Sequence, residues 1–192
     1  MLAVSFFLVN LGFLGWKASQ LKNEYGKALD WKIVFFGAIT FGVFSGCLSN
    51  WTNVGVIAIS TFGWVSLLAD ASTSRLPTLL TALMGFEVLI GGVAFLGVGT
   101  RSSLVGAAMW FLAIGVGRVL RVVGRGDLYL APVLGFWLGN AWLVGLVVAC
   151  FTAGIWAVIT AVRGRKRFPF GPHLIVGAYA AWLAQYVAAQ VI

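Results

Sequence analysis

Charged residues are scarce in this chain of 192 residues: they make up 9% of the sequence, and only five of them are acidic. A soluble domain typically has about 25% charged residues, so a soluble globular fold is excluded. The hydrophobic fraction of 61% lies in long runs and indicates a polytopic membrane protein. The thirteen basic residues lie in short clusters between these runs. Such clusters are typical of cytoplasmic loops near anionic lipid, and they argue against nucleic-acid binding.

Cysteine and histidine are almost missing. Cys47 and Cys150 lie in separate apolar runs without a CxxC partner, and His173 is the only histidine. A zinc site needs about four such ligands, and a disulfide framework needs cysteines in a spaced set. We therefore expect no bound metal, and no motif implies an organic cofactor.

The apolar runs predict an all-α bundle of about eight transmembrane helices, each needing roughly 20 apolar residues. The predicted helices cover residues 2–16, 33–49, 51–70, 77–98, 104–123, 127–139, 142–163 and 172–191. No basic segment or small-residue cleavage site accompanies the first run, which favours a retained span over a signal peptide. Without a repeat or a linker, we expect a single membrane domain over residues 1–192.

The basic residues predict the orientation of these helices. If residues 17–32 are cytoplasmic, eight alternating crossings place twelve of the thirteen Lys and Arg residues inside, and only Arg101 outside. Both termini then face the extracytoplasmic side. The predicted helix 127–139 is about 20 Å long, shorter than the hydrocarbon core of about 30 Å. Asp127 is therefore expected to lie recessed below the inner surface.

Two acidic residues are predicted at the inner ends of helices. Asp70 ends the third helix in the run WVSLLADASTSRLPTLL, and Asp127 opens the sixth in GRGDLYLAPVLGFWLG. A carboxylate inside a membrane is costly and is usually functional. Two close carboxyls can hydrolyse a peptide bond when one accepts a proton from water and the other, protonated, polarises the carbonyl. Gly124 and Gly126 allow positive φ and close backbone approach, so the chain can leave the helix, present Asp127 and let an extended substrate strand come near.

The surroundings of both aspartates resemble the type IV prepilin peptidases over roughly residues 51–191. Arg75 and Pro77 follow Asp70, the GRGD stretch opens a helix, and FPFGP precedes the last helix. The resemblance implies an intramembrane aspartyl endopeptidase with Asp70 and Asp127 as its catalytic residues. It also implies location in the prokaryotic inner membrane and a substrate that is a single apolar helix, whose short basic leader is removed at the cytoplasmic face.

The sequence departs from that family at two places. Tyr129 stands where family members usually have lysine, and residues 17–32 lack the four cysteines of a zinc-binding segment. We therefore expect no separate zinc-binding or methyltransferase segment, and N-methylation of the product stays open. The sequence also leaves open which prepilin is cleaved and the oligomeric state.

Glu87 lies near the middle of the fourth predicted helix. It is a neutral acid bonded to another helix, a partner of a polar or basic group, or a substrate contact, and the structural role is favoured. Two other functions stay open: a small transporter or channel that uses the acidic residues, and a catalytically silent relative in pilus assembly. Acids gathered at one side of the membrane and the absence of a duplicated half favour the peptidase.

Overall fold

A computed structural model describes residues 2–25, 30–49, 54–73, 76–95, 100–120, 123–164 and 169–191. The regular secondary structure in these ranges is helical, without a strand. The helices are α1 (Leu2–Tyr25), α2 (Trp31–Leu48), α3 (Val54–Thr73), α4 (Thr78–Phe95), α5 (Thr100–Val119), α6 (Arg125–Leu138), α7 (Trp142–Val162) and α8 (Gly171–Val191). They form two compact units, Met1–Gly97 with α1 to α4 and Val98–Ile192 with α5 to α8.

The predicted all-α fold is confirmed, and each of the eight predicted helices overlaps an observed one. Among the described residues, four stretches are long and apolar enough to cross a membrane: Trp31–Leu48, Val54–Thr73, Arg101–Val119 and Arg125–Val162. Ala3–Lys17 and Thr78–Gly91 are apolar but shorter. These stretches indicate integration in a membrane. The eight crossings, the extracytoplasmic termini and the single domain stay predictions.

Helix α1 is longer than the sequence predicts. The apolar run ends near Trp16, yet the helix continues to Tyr25 through residues that were expected in a loop. Lys, Gln, Leu and Ala are good helix formers, so the polar continuation needs no apolar face to stay helical. The next helix starts at the N-cap residue Asp30, whose Oδ1 atom accepts a hydrogen bond from the backbone N–H of Lys32 at 3.0 Å.

Helix α3 is the centre of the first unit and contacts α1, α2 and α4. It contains a π-helical turn at Ile59–Gly63, between α-helical parts that cover Val54–Ala58 and Trp64–Thr73. The residues of the first part and of the π turn are all buried, which fits the mainly apolar sequence of this part of α3. Two glycines of α2 make room for rings there: a Cβ atom on Gly37 would overlap the indole of Trp64, and one on Gly42 would overlap Phe7.

Close glycine contacts hold the second unit together. A Cβ atom on Gly106 of α5 or on Gly135 of α6 would overlap the carbonyl oxygen of the other residue. Gly177 of α8 similarly packs against the backbone of α7 at Gly145. Small residues of this kind let membrane helices approach closely and pack by van der Waals contact. Gly139, with φ of 53°, ends α6 and separates it from α7.

Candidate active site

Asp127 lies in the first turn of α6, where the backbone holds its carboxylate. Gly124 is the N-cap residue, with φ of −72° and ψ of 163°, and Asp127 is the third residue of the helix. The Oδ2 atom of Asp127 accepts a hydrogen bond from the backbone N–H of Gly124 at 3.0 Å, and the side chain is buried. Partial positive charge at the start of a helix stabilises an anion there. The start of α6 therefore both orients Asp127 and suits it to carry negative charge.

Neither Gly124 nor Gly126 adopts the positive φ that a glycine allows there. The N-cap residue of a helix has extended backbone, and Gly126 lies inside α6, which begins two residues earlier than predicted. In the described chain, positive φ occurs at the glycines 139 and 164. A Cβ atom on Gly124 would lie 3.1 Å from Oδ2 of Asp127, and the approach of a substrate strand to these glycines stays a prediction. An alanine at position 124 would require the carboxylate to move by a few tenths of an ångström.

Asp70 is buried in the C-terminal part of α3, which ends at Thr73. The two hydroxyls beyond it bond to their own helix: Ser72 Oγ donates to the carbonyl of Leu68, and Thr73 Oγ1 to that of Ala69, both at 2.7 Å. Carbonyl groups without a helical partner crowd this end and disfavour negative charge. Asp70 therefore lies at a helix end of opposite polarity to that of Asp127.

Ser66 lies one helical turn before Asp70 and on the same face of α3. It is fully buried, and its Oγ atom has no hydrogen-bond partner among the described residues. Sequence reasoning did not single out Ser66. Its spacing of four residues from Asp70 is the sequence signal that identifies it as a neighbour of Asp70 on the helix.

The turn after Asp70 is described in part. Arg75 lies outside the described residues. Pro77 is buried, and its carbonyl accepts the first bonds of α4, from the backbone N–H of Thr81 at 3.1 Å and from its Oγ1 at 3.2 Å. Pro77 directly precedes α4. Because proline has no backbone N–H, it adds no unsatisfied donor at the start of the helix.

Glu87 has the partner that could not be named from the sequence. It is buried in α4, and its Oε2 atom accepts a hydrogen bond from Nδ2 of Asn10 on α1 at 3.0 Å. The same nitrogen lies 3.1 Å from Oγ1 of Thr61 in the π turn, and Thr61 in turn donates to the carbonyl of Ile57. This contact supports the structural role over a substrate contact. An amide inside the apolar run LAVSFFLVNLGFLGW is the signal that could have identified Asn10.

Tyr129 is 59% exposed on α6, and a residue two positions after Asp127 faces a different side of the helix. Its ring therefore does not contribute to the hydrogen bond that holds Asp127. Within the described ranges, no three His, Cys, Asp or Glu side chains lie close enough to bind a metal ion.

The structure divides the predicted site residues between the two units. Asp70, Pro77 and Glu87 belong to the first unit, and Gly124, Gly126, Asp127 and Tyr129 to the second. The approach of Asp70 to Asp127, which hydrolysis by the pair requires, stays a prediction.

These features define an all-helical membrane protein with buried acids near helix ends. The family model of the type IV leader peptidase family matches residues 57–158, slightly more than half of the chain and including both aspartates. The chain therefore belongs to the type IV leader peptidase family, as the sequence predicts.

A curated relative supports the same family. The type 4 prepilin-like proteins leader peptide-processing enzyme of Escherichia coli O78:H11 (strain H10407 / ETEC) is 36% identical over 121 residues. The aligned region covers 61% of this chain and 38% of the relative, so the chain spans well under half of that protein. No solved structure matches the chain.

Proposed function

We propose that the protein is an intramembrane aspartyl endopeptidase that removes the short basic leader of prepilin-like proteins. The observation that carries the proposal is the pair of buried aspartates at helix ends inside the family-matched region. The name of the Escherichia coli relative supports the substrate class. The substrate is then a membrane protein with one apolar helix.

The two helix ends favour different roles for the carboxyls. Asp127, at the positive start of α6 and bonded to the N–H of Gly124, suits the general base that takes a proton from water. Asp70, near the negative end of α3, suits the protonated acid that polarises the scissile carbonyl. Water adds to the carbonyl carbon, the C–N bond breaks, and the leaving amine takes the proton that Asp127 accepted. The reaction needs no metal or organic cofactor.

The basic residues favour the cytoplasmic side for this chemistry. With eight crossings, the loops next to Asp70 and Asp127 fall on the same side as twelve of the thirteen Lys and Arg residues. We therefore propose that the protein lies in the prokaryotic inner membrane with its active site facing the cytoplasm.

Co-expression with a prepilin whose leader ends in glycine tests the proposal. The wild-type protein should shorten the prepilin, and Asp70→Asn and Asp127→Asn should each abolish the shortened product at unchanged expression. Asp30→Asn is the matched control, because Asp30 is exposed and asparagine caps a helix as well as aspartate. Cleavage by either active-site variant would refute the aspartyl mechanism, and no cleavage by the wild type would favour a catalytically silent relative.

A further inference from the structure

The peptide group between Val123 and Gly124 connects Asp127 to the preceding helix. Its N–H donates to Oδ2 of Asp127 at 3.0 Å. Its carbonyl oxygen accepts a hydrogen bond from Nη1 of Arg118 in the last turn of α5, at 3.3 Å. Because a trans peptide is planar, its oxygen and its hydrogen point in opposite directions. One rigid plane therefore lies between the guanidinium and the carboxylate.

The neighbouring residue of α5 holds the same segment by packing. A Cβ atom on Gly117 would lie 2.7 Å from Cγ2 of Val123, so the glycine provides the space in which the valine side chain lies. Val123 is buried as a result. Two adjacent residues of α5 thus hold Val123, Gly117 by leaving space for its side chain and Arg118 by bonding its carbonyl.

We propose that Arg118 is a positioning residue for Asp127, acting through the Val123–Gly124 peptide plane; this rests on the proposed function. The bond from Arg118 keeps the plane from rotating, so the N–H of Gly124 stays directed at Asp127. A charged donor on the carbonyl also strengthens the donor at the other end of the same peptide group. The carboxylate is thereby fixed before substrate arrives.

If Arg118 acted through its charge alone, its variants would behave differently. A cation in the last turn of a helix interacts favourably with its dipole, and a basic residue at a membrane edge can contact lipid headgroups. Both roles depend on charge alone and leave the Val123 carbonyl uninvolved. Arg163, exposed at the end of α7, offers such a cation without this contact and is the matched control.

Steady-state cleavage of a purified prepilin separates these roles. Arg118→Ala and Arg118→Gln should lower kcat about ten- to hundredfold, the range expected when a catalytic group is misplaced by about 1 Å. KM should change less than about threefold, because uniform substrate binding is untouched. Arg118→Lys should recover part of kcat, since its ammonium can reach the same carbonyl. Arg163→Ala should keep the wild-type kcat.

Amide hydrogen exchange in detergent gives a readout that is independent of cleavage. Arg118→Ala should speed exchange at Gly124, as should Asp127→Ala, which removes the acceptor, whereas Arg163→Ala should not. Unchanged exchange at Gly124 would overturn the inference, as would a wild-type kcat or a loss of activity that matches a loss of folded protein. A wild-type protein that cleaves no prepilin refutes the proposed function, and with it this role of Arg118, even if exchange reveals the contact.

Discussion

The end of α3 and the start of α6 hold their aspartates in different ways. Asp127 is bonded to the backbone of its own N-cap residue, and a glycine leaves the space for that bond. Asp70 lies inside a continuous helix whose nearby hydroxyls bond to their own backbone. The field of the helix favours a negative charge in one place and opposes it in the other. Two aspartates are therefore inequivalent before any substrate is bound.

Replacing either aspartate by asparagine should reduce activity more than any other substitution considered below. Asp70→Asn and Asp127→Asn should each lower the rate of prepilin cleavage by about a thousandfold or more, because general acid–base catalysis contributes about 10²–10⁴ per group. A quantitative time course with purified protein measures the loss. If one of the two variants kept a tenth of the wild-type rate, that aspartate would not belong to a catalytic pair.

Gly124→Ala should affect Asp127 and leave Asp70 unchanged. The added Cβ atom meets Oδ2 of Asp127 at 3.1 Å, so the carboxylate must shift by a few tenths of an ångström, and we expect kcat to fall by about threefold or more. Gly154→Ala in α7 is the control, because a Cβ atom there meets nothing within 4 Å. Equal kcat values for the two alanine variants would contradict a space requirement at Gly124.

Glu87 differs from the two aspartates, because it is a buried acid whose hydrogen bond to Asn10 is structural. Glu87→Ala removes one of the two acceptors of Asn10 Nδ2, leaving Thr61 Oγ1, and should destabilise the protein by about 1–3 kcal/mol. Glu87→Gln can still accept from Nδ2 of Asn10 and should retain both stability and cleavage. Apparent Tm in detergent and the cleavage rate measure the two effects. If the glutamine variant folded but did not cleave prepilin, Glu87 would be a catalytic residue.

Tyr129→Lys should have the smallest effect. The tyrosine is exposed and lies off the face that holds Asp127, so lysine should change stability by no more than about 0.5 kcal/mol. The cleavage rate should stay within about threefold of wild type in the same assay. A larger gain in rate would show that this position contacts substrate.

Sequence patterns were sufficient for the helices and for the candidate acids. Runs of apolar residues predicted α2 to α8 closely, and the placement of Asp70 and Asp127 followed from the ends of those runs. The polar C-terminal part of α1 was not predicted, because hydropathy does not report the helix propensity that continues to Tyr25. The conformation of Gly124 was missed because the GxGD pattern does not tell an N-cap from a turn.

Contacts between helices were beyond sequence reasoning. Asn10 and Glu87 are 77 positions apart, and their bond depends on how α1 packs beside α4. In the sequence, Arg118 is one of several basic residues at a predicted membrane edge. Its hydrogen bond to the carbonyl of Val123 is visible only in the structure. Such pairs follow from tertiary packing, which a single sequence does not record.

The π turn of α3 has a consequence for insertions and deletions. A π turn holds an additional residue compared with an α-helix, and each residue of an α-helix turns the chain by about 100°. Removing one residue from Ile59–Gly63 would restore an α-helical turn there, and Asp70 would keep nearly its orientation relative to Val54–Ala58, because the wider turn takes up the additional residue. A deletion within the regular α-helical part, residues 64–69, would instead turn Asp70 by about 100°, so the π turn is the place in α3 where the chain length can change by one residue with the least effect on Asp70.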